Sequence, residues 1–155
     1  MTRVNCVPVQ LLVRQHLIAE WREAPRIFGL VRSALARGED AGTAFSLSPR
    51  AYTLGAGHCR FFYTRLGWMV DRCAALNEEM RARGHIAECR TLPEWTAEIP
   101  RQWWGQWEPT PACMALNAER INLRLEGMGL HGSKLVLSDN GYECISKRTL
   151  ISSGA

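Results

Sequence analysis

Between Arg14 and Arg37 the chain reads RQHLIAEWREAPRIFGLVRSALAR, in which Leu17, Trp21, Ala24, Phe28, Val31 and Leu35 recur at steps of three and four. That spacing gathers them into one apolar stripe of a helix, which must pack on a core to leave water. The other side is polar: His16, Glu20 and Glu23 follow one row, and Arg22 and Arg26, four apart, follow a neighbouring one. Pro25 interrupts the pattern. It lacks a backbone N–H and its ring collides with the carbonyl four residues back, so a bend or loosened turn is predicted over Trp21 to Pro25. One carboxylate and two guanidinium groups thus flank a helix break. This is either a functional cluster or an ordinary solvated pair worth about a few tenths of a kcal/mol.

Two more helices are predicted. One spans Phe61 to Arg83, with Phe62, Leu66, Met69, Cys73, Leu76 and Met80 buried and Gly84 as the residue that ends it. The other starts with Thr110 as N-cap and Pro111 behind it and runs to about Leu125. There Met114, Ala118, Ile121 and Leu125 face inward, leaving Arg120 and Arg124 as a basic pair. Gly38, Gly42 and Ser48-Pro49 mark an irregular connection of about twenty residues, long enough to be functional or mobile. LGAGH at 54–58 is either a plain turn or an anion site at a helix start, and His58 shares that ambiguity. From His85 to Trp107 the prolines at 93, 100 and 109 exclude long regular elements. Trp103, Trp104 and Trp107 either stack on bases or close the core under a loop. Asn5 to Val13, apolar and containing Pro8, packs the terminus onto the domain; KLVLS at 134–138 is a short strand or a weakly ordered tail. The expected class is all-α: a compact single domain of three main helices joined by long loops, with a C-terminal tail whose structure the sequence leaves open.

A length of 155 residues with 46% hydrophobic content fits one such core. The formal charge of +4 permits an anionic partner without requiring one. The kind of base says more. Lys134 and Lys147 are the only lysines among 19 basic residues, so the rest are arginines, suited to bidentate phosphate contacts but never amine nucleophiles. Codon bias explains an Arg-rich chain equally well. The six cysteines form no CxxC pair, which argues against a zinc knuckle or a thioredoxin-like site. Without a secretory apolar core or an apolar run near twenty residues, the chain reads as a soluble cytoplasmic protein in a reducing compartment.

The small Thr2 after Met1 is compatible with removal of the initiator, which would make Thr2 the first residue. An α-amine has a reference pKa of about 7.7 to 8.0 against about 10.4 for lysine, so roughly a quarter of it is neutral near pH 7.4. Such a terminus is either an amine available for chemistry or an unremarkable exposed end.

MTRVN, RQHLIAEWREAPRIFGLVR and LGAGHCRFFYTRL, in that order, closely resemble the pyrimidine-dimer DNA glycosylase/AP lyase family of the bacteriophage endonuclease V type. The likeness covers about residues 1–125 and is strongest over the first 66. It implies that the Thr2 α-amine is the nucleophile and Glu23 the catalytic carboxylate. It further implies that Arg3, Arg22 and Arg26 grip the backbone and shape the pocket, that His16 is an active-site neighbour, and that Arg120 and Arg124 face DNA. The implied partner is double-stranded DNA carrying pyrimidine dimers or abasic sites, kinked with the base opposite the lesion turned out. The implied reaction is base excision through an imine followed by β-elimination. No metal, organic cofactor or membrane enters, and a monomer associated with DNA in a bacterial or phage-infected cell is expected. The corresponding domain is 1–126, with 127–155 as an extension. There the chain departs from the phage type, whose tail is dense in Trp and Tyr: residues 126–155 hold one aromatic, Tyr142. Alternatives are therefore an AP lyase with a different damaged-base preference, or a non-catalytic DNA-binding module with Thr2 buried or blocked. An N-terminal-nucleophile hydrolase ranks below both, because its layered αββα fold is out of reach of three helices.

Overall fold

Pro25 divides the first helical stretch in two. In the computed structural model, which describes residues 3–130 and 132–146, α1 spans Arg14–Glu23 and α2 spans Arg26–Ala36. The backbone stays bonded through the break: Ala24 N–H donates to the Glu20 carbonyl at 2.8 Å and Ile27 N–H to the Ala24 carbonyl at 3.2 Å. Pro25, already near helical φ at −62°, precedes the first residue of α2. Leu17, Ala24, Phe28 and Val31 are buried as the stripe predicts, joined by Ile27 and Ala34.

The chain folds as two units, residues 1–4 with 14–108 and residues 5–13 with 109–155. In the first, α1 and α2 are followed by α3 (Ala41–Leu47), α4 (His58–Phe61) and α5 (Leu66–Ala82). Short 3-10 turns follow at Glu94–Glu98 and Arg101–Trp103. Helix α3 falls inside the connection expected to be irregular, where the Asp40 side chain accepts the Thr43 N–H at 2.7 Å and caps it. The helix expected over 61–83 is interrupted after Phe61, and Gly105 docks against the interruption. Its N–H donates to the Thr64 carbonyl at 3.1 Å and its carbonyl accepts from Gly67 at 3.1 Å. A side chain at 105 would collide with that Thr64 carbonyl. The stripe from Phe62 to Met80 is buried throughout, and α5 ends with Gly84 at φ 74° and His85 N–H on the Met80 carbonyl at 2.9 Å.

Aromatic rings fill this unit. Trp107 stacks on Tyr52 with centroids 5.6 Å apart and lies 5.0 Å from both Phe61 and Trp68. Trp103 is buried, and Trp104 Nε1 donates to the Ile99 carbonyl at 2.9 Å. Of the two readings of the tryptophans, core closure is the one observed.

In the second unit, α6 (Pro111–Gly127) starts as expected, with Thr110 Oγ1 accepting the Cys113 N–H at 3.2 Å. Ala118, Ile121 and Leu125 are buried, as is Asn117, whose Oδ1 accepts from the N–H groups of Cys6 at 2.8 Å and Val7 at 3.2 Å. Its Nδ2 donates to Asn5 Oδ1 at 2.8 Å. The all-α expectation needs correction here. KLVLS lies in strand β1 (Ser133–Ser138), which pairs antiparallel with β2 (Gly141–Ser146), Leu135 opposite Cys144. Asp139-Asn140 makes the reversal into Gly141, whose φ of 105° favours glycine. Asn122 on α6 bonds both backbone groups of Leu135, at 2.8 and 3.0 Å, and holds the hairpin to the helix.

Candidate active site at the helix break

Because Pro25 ends α1, Glu23 is its last residue and Arg26 the first of α2. Arg26 Nη1 donates to Glu23 Oε2 at 2.7 Å, with side chains 63% and 31% exposed respectively. A pair so open to water adds little stability. Its value is geometric: the carboxylate is oriented, reachable from solvent and beside the positive end of α2. Arg22, exposed in the same last turn of α1, adds a second guanidinium to this solvent-facing end of the helix. His16 lies half-buried on the same helix, seven residues earlier and therefore about 10 Å along its axis.

The last turn of α1 is held from beneath by two contacts with α5. Glu20 is buried and bidentate with the buried Arg72, Nε to Oε1 at 2.8 Å and Nη2 to Oε2 at 3.0 Å. Trp21 Nε1 donates to Asn77 Oδ1 at 2.9 Å, and the Arg90 guanidinium lies 5.1 Å above the Trp21 ring. Asn77 also bonds both backbone groups of Arg90. The sequence placed Glu20 on the polar row with His16 and Glu23; its partner, 52 residues away, left no periodic signal.

The first described residues approach the same unit. Val4 is fully buried; its N–H donates to His58 Nε2 at 2.9 Å and its carbonyl accepts from Tyr52 Oη at 2.9 Å. The other ring nitrogen, Nδ1, lies 2.6 Å from the Thr53 carbonyl. Burial pushes the His58 pKa below its ordinary value, and the positive charge of Arg3 lowers it further. Burial raises the pKa of the neighbouring Cys59 thiol, and the Glu23 carboxylate raises it too. Arg3 and Glu23 therefore both project their fields onto the turn that holds Val4. Of the two readings of LGAGH, the turn is realised: Gly57 sits at φ 85°, where a Cβ would lie 2.6 Å from Pro49 Cγ, and the helix that follows has four residues.

Thr2 lies outside the described residues. Arg3, His16, Arg22, Glu23 and Arg26 all belong to the first unit, and Glu23 and Arg26 are in direct contact. Arg120 and Arg124 are exposed on α6 in the second unit. Partial burial lowers the Arg124 pKa, as does the positive charge of Arg120 one turn away.

A family model described as pyrimidine dimer DNA glycosylase matches residues 1–91. The chain belongs to that family. As a pyrimidine dimer DNA glycosylase family member it is a DNA-repair protein, and its substrate is DNA. The matched stretch holds Arg3, His16, Arg22, Glu23 and Arg26, both members of the buried Glu20–Arg72 pair, and the His58 and Tyr52 contacts to Val4. Arg120 and Arg124 fall beyond it. Among the described residues no helix is long and apolar enough to cross a membrane. Nothing in the sequence signals the Tyr52 and His58 contacts to Val4 or the Glu20–Arg72 pair. Tyr52 and His58 are polar groups in a turn-rich stretch, while Glu20 and Arg72 are charged helix residues with no local mark of burial.

Proposed function

We propose that this glycosylase excises UV-induced pyrimidine dimers from double-stranded DNA and then cuts the strand as an AP lyase, using the amine of Thr2 after loss of Met1. The neutral amine forms a bond to C1′ as the glycosidic bond breaks, and the base leaves with the electron pair and takes up a proton. The attacking nitrogen then gives up one proton, its freed lone pair opens the ring at C1′–O4′ to form a protonated imine, and O4′ takes up the proton the nitrogen lost. Glu23 stabilises the developing cation and accepts the C2′ proton. The electrons of that C–H bond become the C2′–C3′ double bond, and the 3′ phosphate departs. Water then hydrolyses the imine. Arg3, Arg22 and Arg26 serve as phosphate contacts, with Arg120 and Arg124 as further contacts and His16 beside the sugar.

The observation that carries this reading is the pair of hydrogen bonds fixing Val4 in the unit that bears Glu23. Two residues of chain span at most about 7 Å, so anchoring residue 4 confines the amine of residue 2 to a small volume. The test is incubation with UV-irradiated or abasic duplex in the presence of borohydride, followed by mapping of the reduced adduct. An adduct on Thr2 with both substrates is expected. No adduct on either would replace this reading with a non-catalytic DNA-binding module; an adduct with abasic DNA alone would leave a lyase with another base preference.

A further inference from the structure

We propose that His58 is a positioning residue for this reaction: its neutral ring holds the start of the chain through the Val4 N–H, and protonation of the ring releases it. This rests on the reading of the Thr2 amine as nucleophile. The tautomer follows from the partners. A backbone N–H can only donate, so Nε2, 2.9 Å from Val4 N, must be the bare nitrogen. The proton is then on Nδ1, pointing at the Thr53 carbonyl 2.6 Å away. Once Nε2 carries a proton, two donors face each other and the bond to Val4 is lost.

The surroundings resist the charged form. His58 is 3% exposed, with the edges or faces of Tyr52 and Phe62 at 5.6 and 5.4 Å. Against burial, the hydrogen bond to the Thr53 carbonyl and, more weakly, Glu20 favour the imidazolium; Arg3 disfavours it, and the adjoining Cys59 keeps its proton because burial raises its pKa. Burial dominates, so the folded pKa lies below the ordinary value of 6.5. The sign follows: the unfolded or released state binds the proton more readily. The clamp is intact above the ordinary value and is lost as pH falls through the lowered one.

Acid therefore acts twice on turnover, once by protonating the amine and once by opening the clamp. For the wild type, single-turnover imine formation on abasic DNA should fall with a log-rate slope that steepens from one toward two below the His58 pKa. His58→Gln keeps an acceptor for Val4 and cannot titrate; its slope should stay at one, with a rate near pH 8 close to wild type. His58→Ala should slow imine formation by on the order of tenfold to hundredfold with KM for DNA unchanged, since a small misplacement of a nucleophile is that costly. Gln rescue of the Ala defect separates positioning from bulk stability. If His58→Ala does not fold, the Gln profile decides. A slope of two retained in His58→Gln, or a folded His58→Ala with wild-type rate, overturns the proposal. Absence of a Thr2 adduct in the wild type would instead remove the reaction on which it rests.

Discussion

Replacing Arg72 by methionine leaves the Glu20 carboxylate buried without its guanidinium. The two side chains are 7% and 1% exposed and share two charge-assisted bonds, at 2.8 and 3.0 Å. Removing one member of such a pair costs about 3–5 kcal/mol, because the remaining charge keeps its desolvation penalty. In a chain of this size each kcal/mol moves Tm by about 2–4 °C, so Arg72→Met is expected to lower Tm by roughly 6–20 °C. Glu20→Met, which strands the guanidinium instead, should cost a comparable amount. The double variant removes both charges and both penalties, and apolar side chains of similar volume can then pack in their place; it should be more stable than either single change. Urea and thermal unfolding followed by circular dichroism measure all four proteins. Single changes costing under about 1 kcal/mol, or a double variant whose loss equals their sum, would refute the account of α1 being held to α5 by this pair.

Two further outcomes follow from the same coordinates. Glu23→Gln keeps the size of the side chain and an acceptor for Arg26, so duplex binding by gel shift should persist while turnover falls by about 100-fold or more; undiminished turnover would remove Glu23 from the proposed chemistry. Asn117→Ala deletes three buried hydrogen bonds to Asn5, Cys6 and Val7 and is expected to cost about 2–4 kcal/mol in urea unfolding, whereas Leu116→Ala on the exposed side of the same helix should cost under about 1 kcal/mol.

What was legible in the sequence is what repeats. The stripe Phe62 to Met80, the break at Pro25, the Thr110 cap and the Gly84 stop are local or periodic and are found as read, and of the stripe Leu17 to Leu35 all are buried except the half-buried Trp21 and Leu35. Failures arose where one distant contact overrides local preference. Helix α3 exists because Asp40 caps a segment whose glycine and serines suggested a loop. The helix expected over 61–83 is interrupted because Gly105, forty residues on, docks at Thr64 and Gly67. The hairpin is half legible: KLVLS is a candidate strand, but nothing in the sequence marks 141–146 as its partner. At the site, Glu23 and Arg26 were visible as helix neighbours. Nothing periodic connects Val4 with Tyr52 and His58, 48 and 54 residues away.

Those long-range contacts have a common physical cause. Val4 to Val7 is buried, yet it lies in neither a helix nor a strand, so its backbone groups cannot be satisfied by a repeating ladder. Buried N–H and C=O groups must nevertheless be paired. Individual side chains supply that pairing: His58 and Tyr52 for Val4 in the first unit, Asn117 for Cys6 and Val7 in the second. A strand in a ladder can slip by two residues and recover most of its bonds. A segment held by dissimilar, singly placed acceptors and donors cannot, because each fits one backbone position. That is the kind of anchoring required if the residue two places before Val4 carries the nucleophile. It also explains why a titratable ring serves there: a neutral imidazole accepts from Val4 with one nitrogen and donates to Thr53 with the other, joining the start of the chain to the turn before α4 in a single side chain.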